Sequence, residues 1–146
     1  MFEMVYESRV RERLTFGQIT GLIMAARQRN AELGVTGLLL FDGEHFVQLL
    51  EGPEAAVQSI YRSINRDPRH THISHYWGQT VARRSFEGFD LACAIADEPG
   101  GHVSVPDLLV ERDTHERQSS FGMRLLRVLY QQRILARQNT ALPLAG

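Results

Sequence analysis

The chain has 146 residues, of which 43% are apolar and 23% are charged, and its formal net charge is −1. This length predicts a single domain, and a sequence pI near 6.6 argues against a dedicated nucleic-acid-binding protein, whose pI is usually above about 9. The single cysteine, Cys93, excludes an internal disulfide, and no apolar run reaches the roughly 18 residues of a membrane span. We therefore expect a cytoplasmic protein that binds neither nucleic acid nor membrane.

A strand and a long helix are predicted for the first 34 residues. The residues from 2 to 8 alternate as in a strand, with Tyr6 on the same face as Met4. Thr15, followed three residues later by Gln18, forms a capping box that begins a helix, and Gly34 is placed to end it. The inward stripe of this helix consists of Ile19, Leu22, Ile23, Ala26 and Asn30.

A hairpin and a second helix follow. The apolar run 35–41 predicts a strand covered on both faces, and Asp42-Gly43 predicts a tight turn into a partner strand over 45–51. Pro53 lies where a helix can begin, and Asp67-Pro68 is placed to end that helix. Its apolar stripe consists of Val57, Ile60, Tyr61 and Ile64.

Two more strands are predicted, over 72–81 and 89–96. The element order predicts an α+β, ferredoxin-like sandwich: a five-stranded mixed sheet with two helices on one face and the first and third strands as central neighbours. We assign residues 1–96 to this domain, 97–117 to a linker and 118–146 to a C-terminal helical extension. The helix predicted over 118–138 would pack on the open face of the sheet, beside Val5, Val47 and Leu49, or pair between subunits.

Polar side chains interrupt three faces that should be apolar. Tyr6 lies in the middle of the first strand, Gln48 lies between apolar residues of the third, and Asn30 falls on the inward stripe of the first helix. A buried amide without partners costs about 1–3 kcal/mol, so these groups either satisfy one another or bind a ligand. Because amides carry both donors and an acceptor, the second interpretation suits the edge of a planar heterocycle, with Ile23 and Leu38 against its faces.

Four stretches of the sequence, in order along the chain, are similar to motifs of one family. They are 5–8 (VYES), 29–30 (RN) with 34–39 (GVTGLL), 46–53 (FVQLLEGP) and 67–70 (DPRH). On these residues the chain resembles, over residues 1 to about 96, the BLUF family of flavin-binding blue-light sensors. The resemblance implies a ferredoxin-like fold and a flavin cofactor, FAD or FMN.

The resemblance also implies roles for individual residues. Tyr6 is expected to donate an electron and then a proton to the photoexcited flavin, and Gln48 to bridge this tyrosine and the flavin and to change its hydrogen bonds after excitation. Asn30 is expected to hold the pyrimidine edge of the isoalloxazine ring, with Arg29 on the carbonyl side. The other implied cofactor positions are the pocket walls Ile23 and Phe46 and, near the ribityl chain and phosphate, Asp67, Arg69 and His70.

Two positions depart from the family's pattern. Many members have Trp where this chain has Phe89 and Met where it has Leu91, both on the predicted fifth strand, which is the expected signal-output element. We expect an intact flavin photocycle with changed recovery kinetics. Since the rest of the chain holds no recognisable catalytic domain, output would pass to a protein partner in trans or within a homo-oligomer.

The alternative function is a ferredoxin-like protein-interaction domain that has lost its chromophore. An acylphosphatase shares the architecture, but its phosphate-binding loop after the first strand is missing here. No Gly-rich dinucleotide or P-loop motif is present, and His70, His72 and His75 lack further ligands at metal-site spacing. We therefore expect neither an enzyme nor a metal site.

Overall fold

The structure is a computed structural model that describes residues 1–95 and 121–132. The predicted linker 97–117, Ala96 and the remainder of the C-terminal extension lie outside the described residues. The elements, in chain order, are β1 (Phe2–Val10), α1 (Phe16–Leu33), β2 (Thr36–Phe41), β3 (His45–Gly52), α2 (Glu54–Arg66), β4 (His70–Thr80), β5 (Ala92–Ile95) and α3 (Phe121–Tyr130).

The strands form one mixed sheet in the order β4-β1-β3-β2-β5. β1 pairs antiparallel with β3 and β4, β2 pairs antiparallel with β3, and β5 pairs parallel with β2. The predicted fold class and the central position of the first and third strands are confirmed. In the β1–β3 pairing Tyr6 lies directly opposite Gln48, so both side chains lie on the same face of the sheet.

Both ends of α1 follow the predicted local chemistry. Thr15 Oγ1 accepts a hydrogen bond from the Gln18 backbone N–H at 3.2 Å, and Gln18 Oε1 accepts one from the Thr15 N–H at 2.8 Å. At the other end Gly34 has a φ of 66°, the left-handed conformation that favours glycine. The helix therefore ends after Leu33, which places Arg29 and Asn30 in its last turns.

The helices α1 and α2 cover one face of the sheet. Below α1 lies a buried cluster that includes Ile19, Ile23, Ala26, Leu39 and Phe46. Below α2 lies a second cluster, formed by its stripe of Val57, Ile60 and Ile64 with Met4, Tyr6 and Leu50 of the sheet. The even-numbered residues of β1 and β3 therefore face these two helices.

The opposite face of the sheet is covered by α3. Leu126 and Leu129 are buried against Val5, Val47 and Leu49, as the intramolecular alternative for the extension predicted. Leu126 is fully buried, and burial of a leucine side chain contributes about 1.5–3 kcal/mol. Within the described residues, the sheet is thus packed on both faces.

The prediction for Leu38 is wrong. Leu38 faces α3 and is buried with Val5 and Leu49, whereas the adjacent Leu39 faces α1. Successive side chains of a strand point to opposite faces, so only one of these two leucines can face the helices α1 and α2. Because β2 is a continuous run of apolar residues without polar alternation, the sequence does not show which of the two leucines faces these helices.

The fifth strand begins later than predicted. Gly88 has a φ of 85°, and the Phe89 N–H donates to the Phe86 carbonyl at 3.0 Å, so the chain turns here and β5 starts only at Ala92. Phe89 and Leu91 therefore lie in the segment that precedes the strand. The Phe89 carbonyl still contacts the sheet, because it accepts a hydrogen bond from the Gly37 N–H at 3.2 Å.

Candidate functional site

A cavity of about 210 Å³ lies between α1, α2 and the sheet. Most residues predicted to bind a cofactor line it: Tyr6, Arg29, Phe46, Gln48, Asp67, Arg69 and His70. This volume is below the range of about 300–1,000 Å³ for pockets that enclose a whole drug-sized ligand. The cavity is therefore suited to the ring system of a cofactor whose remaining part lies outside.

Tyr6 and Gln48 form a hydrogen-bonded pair in the cavity wall. The Tyr6 hydroxyl donates to Gln48 Oε1, and the two residues are only 1% and 3% exposed. The pair is a consequence of the β1–β3 register, which places the two residues opposite each other on the side facing the helices. A phenol and an amide are thus in direct contact where a ligand would lie.

Burial strongly raises the pKa of the Tyr6 phenol, the Arg29 guanidinium acts in the opposite direction, and Tyr61 raises the pKa. Burial also lowers the pKa of Arg29, while the nearby Tyr6 and Asp67 raise it. Because the phenol keeps its proton at neutral pH, Tyr6 is a hydrogen-bond donor and Gln48 Oε1 is its acceptor. The amide orientation of Gln48 follows from this assignment.

Asn30 is fully buried but is not part of the cavity wall. Its Nδ2 donates to the Asp90 carbonyl at 2.8 Å, and its Oδ1 has no hydrogen-bond partner among the described residues. In the same part of the chain, the buried Nε of Arg29 also has none. Asn30 was expected to line one cavity with Tyr6 and Gln48, but it does not. Two other residues of α1, Arg29 and Ala26, line the wall instead.

Charged and polar groups at the cavity rim are paired with one another. The Asp67 carboxylate accepts from Arg69 Nη2 at 2.6 Å, and this hydrogen bonding lowers the pKa of Asp67 to about 2. His70 Nδ1 lies 2.8 Å from Ser8 Oγ, and burial lowers the pKa of His70. At neutral pH the rim thus carries a compensated ion pair and an uncharged imidazole.

The remaining wall consists of residues that the sequence reasoning did not assign to a cofactor. Ile23, which was assigned, lies in the buried cluster with Phe46 instead of in the wall itself. Helical spacing could have identified part of the missing set, because Leu22 and Ala25 precede Arg29 by seven and four residues. The unassigned wall residues are Leu22, Ala25, Ala26, Leu39, Ser63, Ile64 and Leu91.

These residues fit a flavin. Leu39 and Phe46 provide apolar surface for a planar ring, and the Tyr6–Gln48 pair provides hydrogen-bonding groups beside it. The unpartnered Nε of Arg29, a residue of the cavity wall, is a buried donor that an acceptor on the edge of a ligand could satisfy. Residues 1–95 and 121–132 contain no group of three or more His, Cys, Asp or Glu placed to hold a metal ion. None of the described helices is long and apolar enough to cross a membrane.

Comparisons with known sequences point to one family. The BLUF family model, described as sensors of blue-light using FAD, matches residues 1–92. The blue light- and temperature-regulated antirepressor BluF of Escherichia coli (strain K12) is 40% identical over 100 residues, which are 65% of this chain and 25% of that protein. The photoactivated adenylate cyclase subunit beta of Euglena longa is 44% identical over 55 residues, which are 38% of this chain and 6% of that protein. The chain therefore spans a quarter or less of these two curated relatives.

Solved structures extend the similarity to nearly the whole chain. BlrB, a BLUF protein in its dark state, superposes with a TM-score of 0.63 at 28% identity and covers 98% of this chain and 96% of its own. The structure described as BlrP1 BLUF has a TM-score of 0.70 at 29% identity, with 88% of both chains covered. Klebsiella pneumoniae BlrP1 with FMN and cyclic diGMP has a TM-score of 0.66 at 26% identity, covering 88% of this chain and 34% of that one. With its fold, its cavity and these matches in agreement, this chain belongs to the BLUF family of flavin-based blue-light sensors.

Proposed function

We propose that this protein is a blue-light photoreceptor in which the cavity between α1 and α2 binds a flavin non-covalently and Tyr6 and Gln48 perform the photochemistry. The observation that carries the proposal is the buried hydrogen bond from the Tyr6 hydroxyl to Gln48 Oε1 in the wall of that cavity. Membership of a family of blue-light sensors supports the choice of ligand.

The proposed reaction uses the chemistry of these two side chains. A bound flavin supplies the absorption of blue light and, once excited, an electron acceptor. Tyr6 gives up one electron and then its Oη proton to this acceptor. Gln48 Oε1 accepts the phenol's hydrogen bond in the dark, and the amide changes its donor and acceptor contacts when that proton leaves. Both the electron and the proton return to Tyr6 in the dark, so the cycle causes no net redox change.

The other residues of the cavity would position the cofactor. Arg29, which lines the cavity and has a buried unpartnered Nε, is proposed to hold the polar edge of the ring, and Phe46, supported by Ile23, is proposed to pack against it. Asn30 lies behind this wall with an unpartnered Oδ1, and its amide is proposed to turn towards the polar edge when the flavin binds. FAD is supported because the family is described as sensors that use it, and FMN because it accompanies Klebsiella pneumoniae BlrP1 in a solved structure. The groups proposed to lie near the ribityl chain are Asp67, Arg69 and His70.

Signal output is proposed to begin at Leu91. This residue lines the cavity and is immediately followed by β5, which pairs with β2 in a sheet that carries α3 on its other face. We propose that a change in the contacts of Gln48 alters the packing of Leu91, which lines the same cavity, and thereby the contacts of the sheet with α3. The exposed Phe89 lies beside this route, and we propose that the signal reaches a cytoplasmic protein partner in trans, with a homo-oligomer as the alternative.

Absorption spectra of the purified protein before and after blue illumination test the proposal. We expect a yellow protein whose flavin band shifts to the red in the light and recovers in the dark. Tyr6→Phe should still bind flavin but lose the shift, because it removes the hydroxyl that donates to Gln48. Tyr61→Phe is the matched control, since its ring lies 5.7 Å from that of Tyr6, and it should retain the shift.

Two results would contradict the proposal. A colourless protein that does not bind added flavin would favour the interaction domain without a chromophore. A full red shift in Tyr6→Phe would show that the photochemistry does not need the phenol.

A further inference from the structure

A second pocket, here called the outer pocket, adjoins the flavin cavity. It has a volume of about 450 Å³ and is lined by Ser59, Arg62, Ser63, Arg66 and Asp67. Two of these residues, Ser63 and Asp67, also line the flavin cavity. The outer pocket is therefore continuous with the place where a flavin ring is proposed to bind.

One face of α2 provides most of the outer pocket. Residues 59, 62, 63 and 66 have the spacing i, i+3, i+4 and i+7, so two serines and two arginines lie side by side on the helix. This face is distinct from the apolar stripe of Val57, Ile60 and Ile64, which is buried against the sheet. The outer pocket is thus a polar, positively charged surface next to the flavin cavity.

The charge of the outer pocket is not neutralised within the described residues. Arg62 and Arg66 are exposed, and neither forms a side-chain hydrogen bond or ion pair with any of the residues 1–95 and 121–132. The Asp67 carboxylate is already bound by Arg69 at 2.6 Å. Arg66 lies in the last turn of α2, where the helix dipole favours a cation, but Arg62 lies one turn earlier and has no such explanation.

On the basis of the proposed function, we propose that the outer pocket binds the diphosphate of FAD when the flavin ring occupies the cavity. Guanidinium groups form charge-assisted, bidentate hydrogen bonds with phosphate oxygens, and serine hydroxyls add further donors. The Cβ atoms of residues four apart on a helix are about 5–6 Å from each other, so Arg62 and Arg66 offer two neighbouring cations to two linked phosphates. The cavity itself, at about 210 Å³, leaves the nucleotide tail outside.

Affinities of the flavin-free full-length protein for riboflavin, FMN and FAD, measured by quenching of flavin fluorescence, test this site. In the double variant Arg62→Ala/Arg66→Ala we expect the Kd for FAD to rise at least about 10-fold, that for FMN to rise less, and that for riboflavin to change less than about 2-fold. Added salt should weaken FAD binding by the wild-type protein more than riboflavin binding. Arg13→Ala, which removes one arginine from a different surface pocket, should bind all three flavins as the wild type does.

The outcomes separate this inference from the function on which it rests. If FAD binding is unchanged in the double variant while riboflavin binds normally, the outer pocket is not a phosphate site and the flavin cavity still stands. Equal losses for FMN and FAD would overturn the assignment to a diphosphate, and ADP binding as tightly as FAD would overturn the link to the flavin. If the wild-type protein binds none of the three flavins, the proposed function itself fails.

Discussion

The carboxylate of Glu51, near the end of β3, connects the sheet to the segment between β4 and β5. Glu51 is fully buried and accepts hydrogen bonds from Thr36 Oγ1 at 2.9 Å and from the backbone N–H groups of Ser85 at 2.8 Å and Phe86 at 2.6 Å. This segment leads directly to Leu91 in the wall of the flavin cavity. Removal of the Glu51 carboxylate should therefore weaken both the fold and the support of the site.

The structure allows the size of this effect to be worked out. Glu51→Ala leaves three donors without their acceptor, and each buried donor without a partner costs about 1–3 kcal/mol. Because Ser85 is only half-buried and water can reach it, we expect a total loss of about 3–5 kcal/mol in the free energy of unfolding. Glu51→Gln keeps one oxygen for Thr36 and Phe86 but turns an NH₂ group towards Ser85, so the loss should be about 1–2 kcal/mol.

Urea unfolding measures these differences between the wild type and the Glu51 variants. All proteins are saturated with flavin at the same pH and flavin concentration, and the free energy of unfolding is obtained from the midpoint and the slope of the urea transition. Glu87→Ala is the matched control, because Glu87 is an exposed carboxylate in the same segment, and it should stay within about 0.5 kcal/mol of the wild type. A loss below about 1 kcal/mol in Glu51→Ala would refute the reasoning, since it would mean that the three donors find other acceptors at little cost.

Three further predictions concern the two faces of the sheet, a close backbone contact and pH. Leu39→Ala should raise the Kd for riboflavin, because Leu39 lines the cavity. Leu38→Ala should leave this Kd unchanged but lower the free energy of unfolding by about 2–5 kcal/mol, because Leu38 is buried on the α3 side of the sheet. The reverse pattern would contradict the assignment of the two leucines to opposite faces of the sheet. Gly37→Ala would drive a Cβ into a backbone carbonyl oxygen of β3, so circular dichroism should show a largely unfolded protein, whereas Gly21→Ala, with open space around it, should stabilise the helix by about 0.5–1 kcal/mol. Burial lowers the pKa of His70 in the folded protein below the usual histidine value of about 6.5. The contribution of the neutral His70 to the free energy of unfolding should therefore be complete above about pH 6.5 and decrease as the pH falls towards the lower pKa of the folded state. Urea unfolding at several pH values measures this dependence, which His70→Gln should flatten.

Much of the fold was predictable because short-range chemistry encodes it. The reciprocal hydrogen bonds of Thr15 and Gln18 and the left-handed Gly34 depend only on residues within one or two helical turns. The pairing of Tyr6 and Gln48 needed one more step, since it combines strand alternation with the prediction that the first and third strands are neighbours. Both steps use periodicities that the sequence displays directly.

Other features were not predictable because they depend on contacts between distant parts of the chain. The amide of Asn30 was correctly expected to be buried, but its bond to the Asp90 carbonyl joins residues 60 positions apart. The turn at Gly88, which delays β5 and puts Leu91 in the cavity wall, is held by the bond between the Gly37 N–H and the Phe89 carbonyl. No local sequence pattern predicts either hydrogen bond.

By itself, the sequence determined the order of strands and helices, the class of fold and the polar residues that belong to one face of the sheet, because alternation, capping and turn chemistry are local. Only the tertiary structure decided that Leu39 and not Leu38 borders the cavity, that Asn30 lies outside its wall, and that a charged face of α2 continues the cavity outwards. These outcomes depend on how the helices sit on the sheet, and that arrangement results from the packing of side chains far apart in the chain.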